Sequence, residues 1–525
     1  MWRTVTYAVP LAFLALFFAF PLLSILERGL RADGSLASPL DVLTGPLTRD
    51  VVWFTFWQAL ASTALTFVIG LPTAYVIGRF AFRGRRVVRA LVVVPFVLPT
   101  VVVALAFLAV LPAGLERGWI AILIAHAFFN VAVVVLVVST FWASLDRRVS
   151  EVAATLGATP ARTFREVTLP LLAPSLAAAG SIVFLFSFTS FGIVLILGGP
   201  AYSTIEAEIY NQAVRIFDLR AAAILSAVQL ICVGLAVWIT LKLEAAVAVG
   251  AGPRSERDVL RKPGTSREKG FVVGALGLLA VFLGAPLLVL LERSLAVGDG
   301  YSLEAYRELA RPTSALLVTP WEAVWNSLVY AAAATVVALA VGGLAAAAVA
   351  DKRGPRALDV LLMLPLGTSA VMLGFGFVIA FDRAPIDFRA EPWIVPVVQA
   401  LVALPFVVRI VAPTLRAIDE RQREAAAMLG ASPGRVRREI DLPIVSRALA
   451  LAAGFSFAIS LGEFGATVFL ARPDSPTLPV AIFRFLGRPG EINAAQAYAL
   501  AVVLMGLTAI SISAVGHFRV RRSSI

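Results

Sequence analysis

Side chains able to do covalent chemistry are scarce in this chain. It has two histidines, His126 and His517, and one cysteine, Cys232, too few for a His/Cys metal cluster or a disulfide framework. No G-x-x-x-x-G-K-[ST] run occurs, so the chain has no phosphate-cradling loop of its own. Gly374-Phe375-Gly376 lies in an apolar run and means helix packing, not dinucleotide binding. A Ser–His–Asp site is unsupported, because both histidines belong to apolar runs. The residues that do stand out form a polar stretch written twice. EVAATLGATPARTFREVTLP (151–170) returns 273 residues later as EAAAMLGASPGRVRREIDLP (424–443), with 12 of 20 positions identical. Catalysis is not what such a stretch offers. It offers a rigid surface for another molecule to hold.

Its parts can be read one by one. Glu151, Ala153 and Ala154, like Glu424, Ala426 and Ala427, are helix formers with small side chains that allow close approach. Gly157 and Gly430 end that short helix, where a left-handed residue is commonly needed. Thr159-Pro160 and Ser432-Pro433 then supply an N-cap and a first-turn proline. Arg162, Arg165 and Glu166 share one face of the second helix, as do Arg435, Arg438 and Glu439. Leu169-Pro170 and Leu442-Pro443 are expected to stop it. The product is a helical elbow. As mere capped connectors between helices, two copies at fixed spacing are hard to explain, since loops tolerate variation.

The elements around the elbows are membrane spans. The chain is 59% apolar with a mean hydropathy of +0.89 and only 15% charged residues, against about 25% in soluble proteins. The net charge of +12 falls in short loops between apolar runs, which fits membrane topology better than nucleic-acid binding. With about 20 apolar residues per span, twelve spans are predicted, near residues 6–26, 54–79, 88–111, 119–143, 173–198, 221–243, 271–291, 322–350, 358–381, 393–416, 446–470 and 496–518. The first follows Arg3 without a small-x-small cleavage site and reads as retained, not as a signal peptide. A basic segment, 244–270, reads as a flexible cytoplasmic linker between a first unit, 1–243, and a second, 271–525. Most Lys and Arg fall on one side if both termini are cytoplasmic, and both elbows then lie on that side.

The repeat extends past the elbows. At the same spacing Asp146 matches Asp419, His126 matches Gln399, Phe191-Gly192 matches Phe464-Gly465, and Thr204 matches Thr477. Trp57 pairs with Trp325 and Pro95 with Pro365 at slightly shorter spacings. Six spans in each half give parallel repeats around an axis along the membrane normal, with a path between them. Several polar residues within spans are candidates to face it. His126 and Asn130 share a helix face and fit either interhelical hydrogen bonding or contact with a solute. Ser190, Gln399, Arg409 and Glu463 join them, and a Glu463–Arg409 ion pair competes with a path-facing role for Glu463. The outer segments 199–220 and 471–495 carry apolar stretches. These fit interfacial helices or a docking surface for an external partner, or else a lid over the outer mouth.

Glu-Ala-Ala, three residues to Gly, then Leu-Pro twelve residues on resembles the coupling loop of permease subunits of type I ATP-binding-cassette importers. Two copies look like the fused permeases that carry thiamine or ferric iron. HAFFN (126–130) and FTSFGIVLILGGPAYSTIEAEIY (188–210) look most like the thiamine permease, while SLGEFGATVFL (460–470) and TLPVAIF (477–483) fit either. Val152 stands where the family usually has alanine. The resemblance implies an all-α permease of the type I fold in a bacterial inner membrane. It implies two copies of a separate ATPase on the elbows, which would bind ATP and magnesium, and an extracytoplasmic binding protein that delivers the solute. An ion-coupled secondary transporter with twelve spans is the competing class. It calls for carboxylates within the membrane, for which Glu463 is nearly the only candidate.

Overall fold

The computed structural model describes residues 2–30, 39–248, 260–298, 300–313, 315–351, 356–383, 386–387 and 391–520. Part of the basic linker, 249–259, and the tail, 521–525, lie outside them. The first repeat contains α1 (Thr4–Gly29), α2 (Pro46–Arg79), α3 (Arg85–Val97), α4 (Thr100–Val110), α5 (Trp119–Ser144), α6 (Arg147–Thr155), α7 (Pro160–Phe188), α8 (Gly192–Leu197), α9 (Ile205–Tyr210) and α10 (Leu219–Ala248). The second contains α11 (Ser266–Leu295), α12 (Pro320–Ala350), α13 (Arg356–Met363), α14 (Ala370–Ala380), α15 (Ile394–Arg416), α16 (Glu420–Met428), α17 (Pro433–Gly462), α18 (Thr467–Leu470), α19 (Leu478–Leu486) and α20 (Glu491–Val520). Two short hairpins, Ala296–Val297 with Gly300–Tyr301 and Asp382–Arg383 with Ile386–Asp387, follow α11 and α14.

Ten of the described helices are long and apolar enough to cross a membrane, and α3 with α4 makes an eleventh only as a pair bent by 99°. The third predicted span of each repeat is therefore not one straight helix. Proline is the cause. Pro99 cannot continue α3, and Leu98 before it is extended, at φ −65° and ψ 139°. In the second repeat Pro365 lies in a 3-10 turn, and Thr368 is extended before α14 begins. Eleven-residue α4 and α14 reach only about 16 Å, half the hydrocarbon thickness. Residues 101–107 and 371–377 are buried on every side, so these short helices sit at the centre of the molecule.

The two repeats are interlaced. α1 packs on α12 and α14 of the second repeat, while α11 packs on α4 and α2 of the first. One apolar core accordingly joins Leu14 and Phe18 of α1 to α12, α14 and α15. Within each repeat the second and fourth spans pair most closely. Small residues permit this: a Cβ added to Gly78 of α2 would come 2.9 Å from Trp142, and one added to Gly342 of α12 would come 2.9 Å from Val407. Between helices in lipid, such close van der Waals packing replaces the hydrophobic drive.

The described end of the linker is docked, not flexible. Arg261 exchanges backbone hydrogen bonds with Arg79 and Ala81 at 3.1 and 2.8 Å. Its guanidinium lies over the Phe80 ring, 4.8 Å from the centroid, and pairs with Glu268. Helix α10 also runs five residues past the expected boundary at 243, and α11 starts at Ser266 instead of 271.

Candidate functional site

Each elbow is the same device. Asp146 caps α6 by accepting from Arg148 N at 3.0 Å, and Asp419 caps α16 by accepting from Arg421 N at 3.0 Å. At the other end Gly157 and Gly430 both adopt φ +81°. Backbone bonds of 3.0 Å from Ala158 to Ala153 and from Ala431 to Ala426 close the turn, the pattern that satisfies a helix's last carbonyls. Thr159 and Ser432 cap the next helix, and Arg162–Glu166 and Arg435–Glu439 pair at 2.9 and 3.0 Å on its surface. Two apolar side chains sit at the apex: Leu156 is 82% exposed and Leu429 is 90% exposed. Ala154 and Ala427 are exposed beside them. The Glu151 side chain lies outside the described residues, and Glu424 is exposed.

Leu169-Pro170 and Leu442-Pro443 do not stop the second elbow helix, contrary to expectation. It continues without a break into the span, as α7 and α17. Just before each proline the helix widens for one turn: Leu169 N donates to Phe164 O, and Leu442 N to Arg437 O, five residues back. That looser turn lets the helix absorb a residue with no N–H to give. One rod thus carries each elbow about 40 Å from Pro160 to Phe188 and from Pro433 to Gly462.

At the far end of the two rods the repeats meet. Phe191, just past α7, stacks on Phe464, just past α17, with centroids 5.4 Å apart and planes 25° from parallel. These are the same position in the two repeats, and equivalent residues that touch must lie beside the symmetry axis. Tyr210 of α9 and Phe483 of α19, again 273 apart, flank them. Tyr210 contacts Phe191 at 5.6 Å, Phe483 contacts Phe464 at 5.5 Å, and the two meet each other at 6.3 Å. The adjoining glycines are there for room: a Cβ on Gly192 would lie 2.5 Å from Thr100 Oγ1, and one on Gly374 would lie 2.6 Å from Ala466 O.

The outer segments are what bring Tyr210 and Phe483 inward. Residues 205–210 and 478–482 are buried, so these apolar stretches are neither interfacial helices nor exposed docking strips. Each is pinned by its first N–H: Ile205 N donates to Thr55 Oγ1 at 2.9 Å, and Leu478 N to Ser327 Oγ at 2.6 Å. Between α18 and α19, Arg472 grips Asp474 through two 3.0 Å contacts. That guanidinium holds the Asp474 carboxyl below the usual carboxylate range.

The intramembrane polar candidates fall into separate places. His126 Nδ1 lies 3.1 Å from Ser62 Oγ, and Asn130 Nδ2 donates to Ser187 Oγ at 3.3 Å. Gln58 Nε2 donates to Ser187 O at 2.9 Å, so this group ties α2, α5 and α7 together. Gln399 and Ser190 are buried, and Gln399 Oε1 and Ser190 Oγ have no partner among the described residues. Glu463 does not pair with Arg409. Its carboxylate turns onto the next turn of its own chain, accepting from Ala466 N at 2.8 Å and Thr467 N at 3.0 Å, and from Thr467 Oγ1. Arg409 is exposed on α15. Capping α18 satisfies a buried carboxylate more simply than a partner on another helix.

Sequence reading missed Glu206, Gln229 and Ser369. Glu206 lies in a stretch that looks like a polar loop, yet it is 2% exposed and accepts from Gln229 Nε2 at 3.1 Å. Helix α9, which carries it, packs on α14 of the other repeat, whose N-cap is Ser369. Its even spacing from Tyr210, one helical turn, was the available signal.

Comparison with known proteins fits this geometry. The family described as "Binding-protein-dependent transport system inner membrane component" matches the chain twice, over residues 67–243 and 310–522. The chain is 27% identical over 467 residues to the thiamine transport system permease protein ThiP of Escherichia coli (strain K12), with 83% of each chain covered. It is 28% identical over 531 residues to the ThiP of Brucella abortus (strain 2308), covering 96% of this chain and 93% of that one. A putative 2-aminoethylphosphonate transport system permease protein, PhnV of Salmonella paratyphi A, is 32% identical over 233 residues, 44% of this chain and 87% of its own. With two family matches that together span most of its length, the chain belongs to the binding-protein-dependent transport system inner membrane components, and it is a multi-pass, two-repeat permease of an ABC importer, not an enzyme.

Proposed function

We propose that the chain is the whole membrane pore of a thiamine importer, driven through its two elbows by two copies of a separate ATPase. The observation that carries this reading is the matched pair of apices, Leu156 and Leu429, which are apolar, exposed and set beside rigid glycine turns. Apolar side chains on an otherwise polar, arginine-bearing loop call for a partner surface. Each apex leads through one continuous rod to within three residues of the Phe191–Phe464 contact. A pull on the elbows would therefore reach the aromatic rings with little loss. ATP and magnesium would be held by the ATPase, and both elbows and both chain ends would face the cytoplasm. An extracytoplasmic binding protein would deliver the cargo to the side of Tyr210 and Phe483. Thiamine is the cargo of choice because the Escherichia coli and Brucella abortus relatives, which cover 83% and 96% of the chain, are thiamine permeases by name.

The test is uptake by proteoliposomes holding the permease–ATPase complex, with the binding protein outside and ATP within. Thiamine should accumulate only with ATP present, and ferric iron and 2-aminoethylphosphonate should not. Accumulation of one of those instead would replace the cargo, and uptake driven by a proton gradient with no ATPase would replace the class.

A further inference from the structure

Glu206 is a buried acidic residue on the helix that brings Tyr210 into the aromatic quartet. It sits one helical turn before Tyr210, so the carboxyl and the phenol ring share a face of α9. Across the interface α9 packs on α14, whose N-cap is Ser369. Among the described residues no cation pairs with Glu206. Arg215 lies instead over the Tyr210 ring at 5.8 Å, and Arg484 donates to Ala471 O at 3.3 Å. Neighbouring Glu208 is satisfied locally by Gln212 at 2.8 Å and by Asn211 and Ser203 at 3.3 Å. Gln229 is fully buried and gives its Nε2 to Glu206, which leaves its Oε1 unpartnered in the same place.

The second repeat supplies an internal control. There the equivalents of Glu206 and Glu208 are Pro479 and Ala481. The segment nonetheless forms the same buried helix, pinned by the same kind of hydroxyl and bearing an aromatic ring at the same position. The acid is therefore not what makes this element fold, and burying a carboxyl carries a cost that the apolar equivalent avoids.

We infer that Glu206 selects for organic cations at the Phe191–Phe464 constriction, an inference that rests on the thiamine reading above. Helix α9 packs on α14 of the opposite repeat, so separation of the repeats uncovers the carboxyl toward the opening. Once wetted it ionises as an ordinary glutamate, and it then borders a space lined by the faces of Phe191, Tyr210, Phe464 and Phe483. A carboxylate beside several aromatic faces is the chemistry that holds a flat, delocalised cation such as the thiazolium of thiamine. The unpartnered Gln229 oxygen adds an acceptor for an amino group.

The experiment uses the full permease–ATPase complex with its binding protein, in proteoliposomes, with labelled thiamine as the probe. Glu206→Gln keeps the shape and an oxygen to accept from Gln229 but removes the charge. It should lower thiamine uptake about tenfold or more, while Glu206→Asp should recover most of it. A merely structural role predicts the reverse order, because Gln fits the site better than Asp does. Uptake by Glu206→Gln within about twofold of wild type overturns the inference. Should that variant fail to assemble, a carbodiimide that labels Glu206 in the wild-type complex decides: thiamine present during turnover should slow the labelling, and an unchanged rate overturns the inference. A wild-type complex that carries no thiamine overturns the cargo reading first, and this inference with it.

Discussion

Phe191 and Phe464 are one residue of the repeat used twice, and the two copies stack on each other at 5.4 Å across the axis between the repeats. Two rods end at this contact. They begin at Pro160 and Pro433, just past the Leu156-Gly157 and Leu429-Gly430 turns, and end within three residues of the rings. On this account the ring pair is the point where the path is shut, and the elbows are where force enters.

Truncating either ring should open a leak. Phe191→Ala and Phe464→Ala each remove a buried ring, at a cost on the order of 3 kcal/mol, and the double variant should cost less than the sum because the rings contact each other. Passive thiamine leak from loaded vesicles, measured beside thermal unfolding in detergent, checks both effects. Tight vesicles with both rings removed would move the constriction elsewhere.

Gly192→Ala tests the wedge that holds Phe191 in place. Its added Cβ would lie 2.5 Å from Thr100 Oγ1, an overpacking that costs about 1–3 kcal/mol. Adding Thr100→Ala removes that oxygen and should restore much of the loss. Gly343→Ala, whose Cβ meets open space, serves as the unperturbed control. Midpoints of thermal unfolding read out all four proteins, and an equal loss at Gly343 would refute the steric account.

Leu156→Asp and Leu429→Asp should release the ATPase without unfolding the permease, because both side chains are already in solvent. Each single change should weaken ATPase co-purification, and the pair should abolish it. Gly157→Ala and Gly430→Ala ask a different question. Nothing crowds either position, but φ +81° costs an ordinary residue about 1 kcal/mol, so these variants should weaken capture only mildly. Full capture by the double Asp variant would place the docking surface elsewhere.

The second elbow holds one ion pair for which the first has no counterpart in sequence. Arg423 reaches Asp441 at 2.8 Å with both side chains partly buried, a staple between the two helices of the second elbow. The first elbow has Ser150 and Thr168 at these places and lacks it. Arg423→Ala should loosen the second elbow by about 0.5–1 kcal/mol and leave the first unchanged. Hydrogen exchange over residues 433–441 and 160–168 reads the difference.

How far the sequence could be read depended on the kind of signal. The caps and glycine turns of the elbows were legible to the residue, because they are local physics repeated in two copies, but the Leu-Pro pairs read as stops and the helix runs through them. Most spans were legible for the same reason, since about 20 apolar residues leave few options in a bilayer. The third span of each repeat was not. Hydropathy averages over Leu98-Pro99 and cannot show that the chain turns by 99° there. For Glu463 the sequence leaves an ion pair with Arg409 and a path-facing role both open, because charge alone does not say that a backbone turn three residues away will satisfy it. Glu206 was invisible as a special residue. Its burial depends on the outer segment folding inward, and only the pinning contact with Thr55 reveals that. The apolar stretch within that segment fits an interfacial helix, a docking surface or a lid, and sequence alone does not choose among them.

The most direct measurement locks the axis itself. With Cys232 replaced, cysteines at positions 210 and 483, the equivalent residues that meet at 6.3 Å beside the intact Phe191–Phe464 pair, are joined by a short cleavable bis-thiosulfonate in the reconstituted complex. The account predicts ready crosslinking in the resting complex, loss of ATP-driven thiamine uptake once joined, and recovery when the link is reduced. A complex that transports at its full rate with the two positions joined would contradict the claim that the path opens between Phe191 and Phe464.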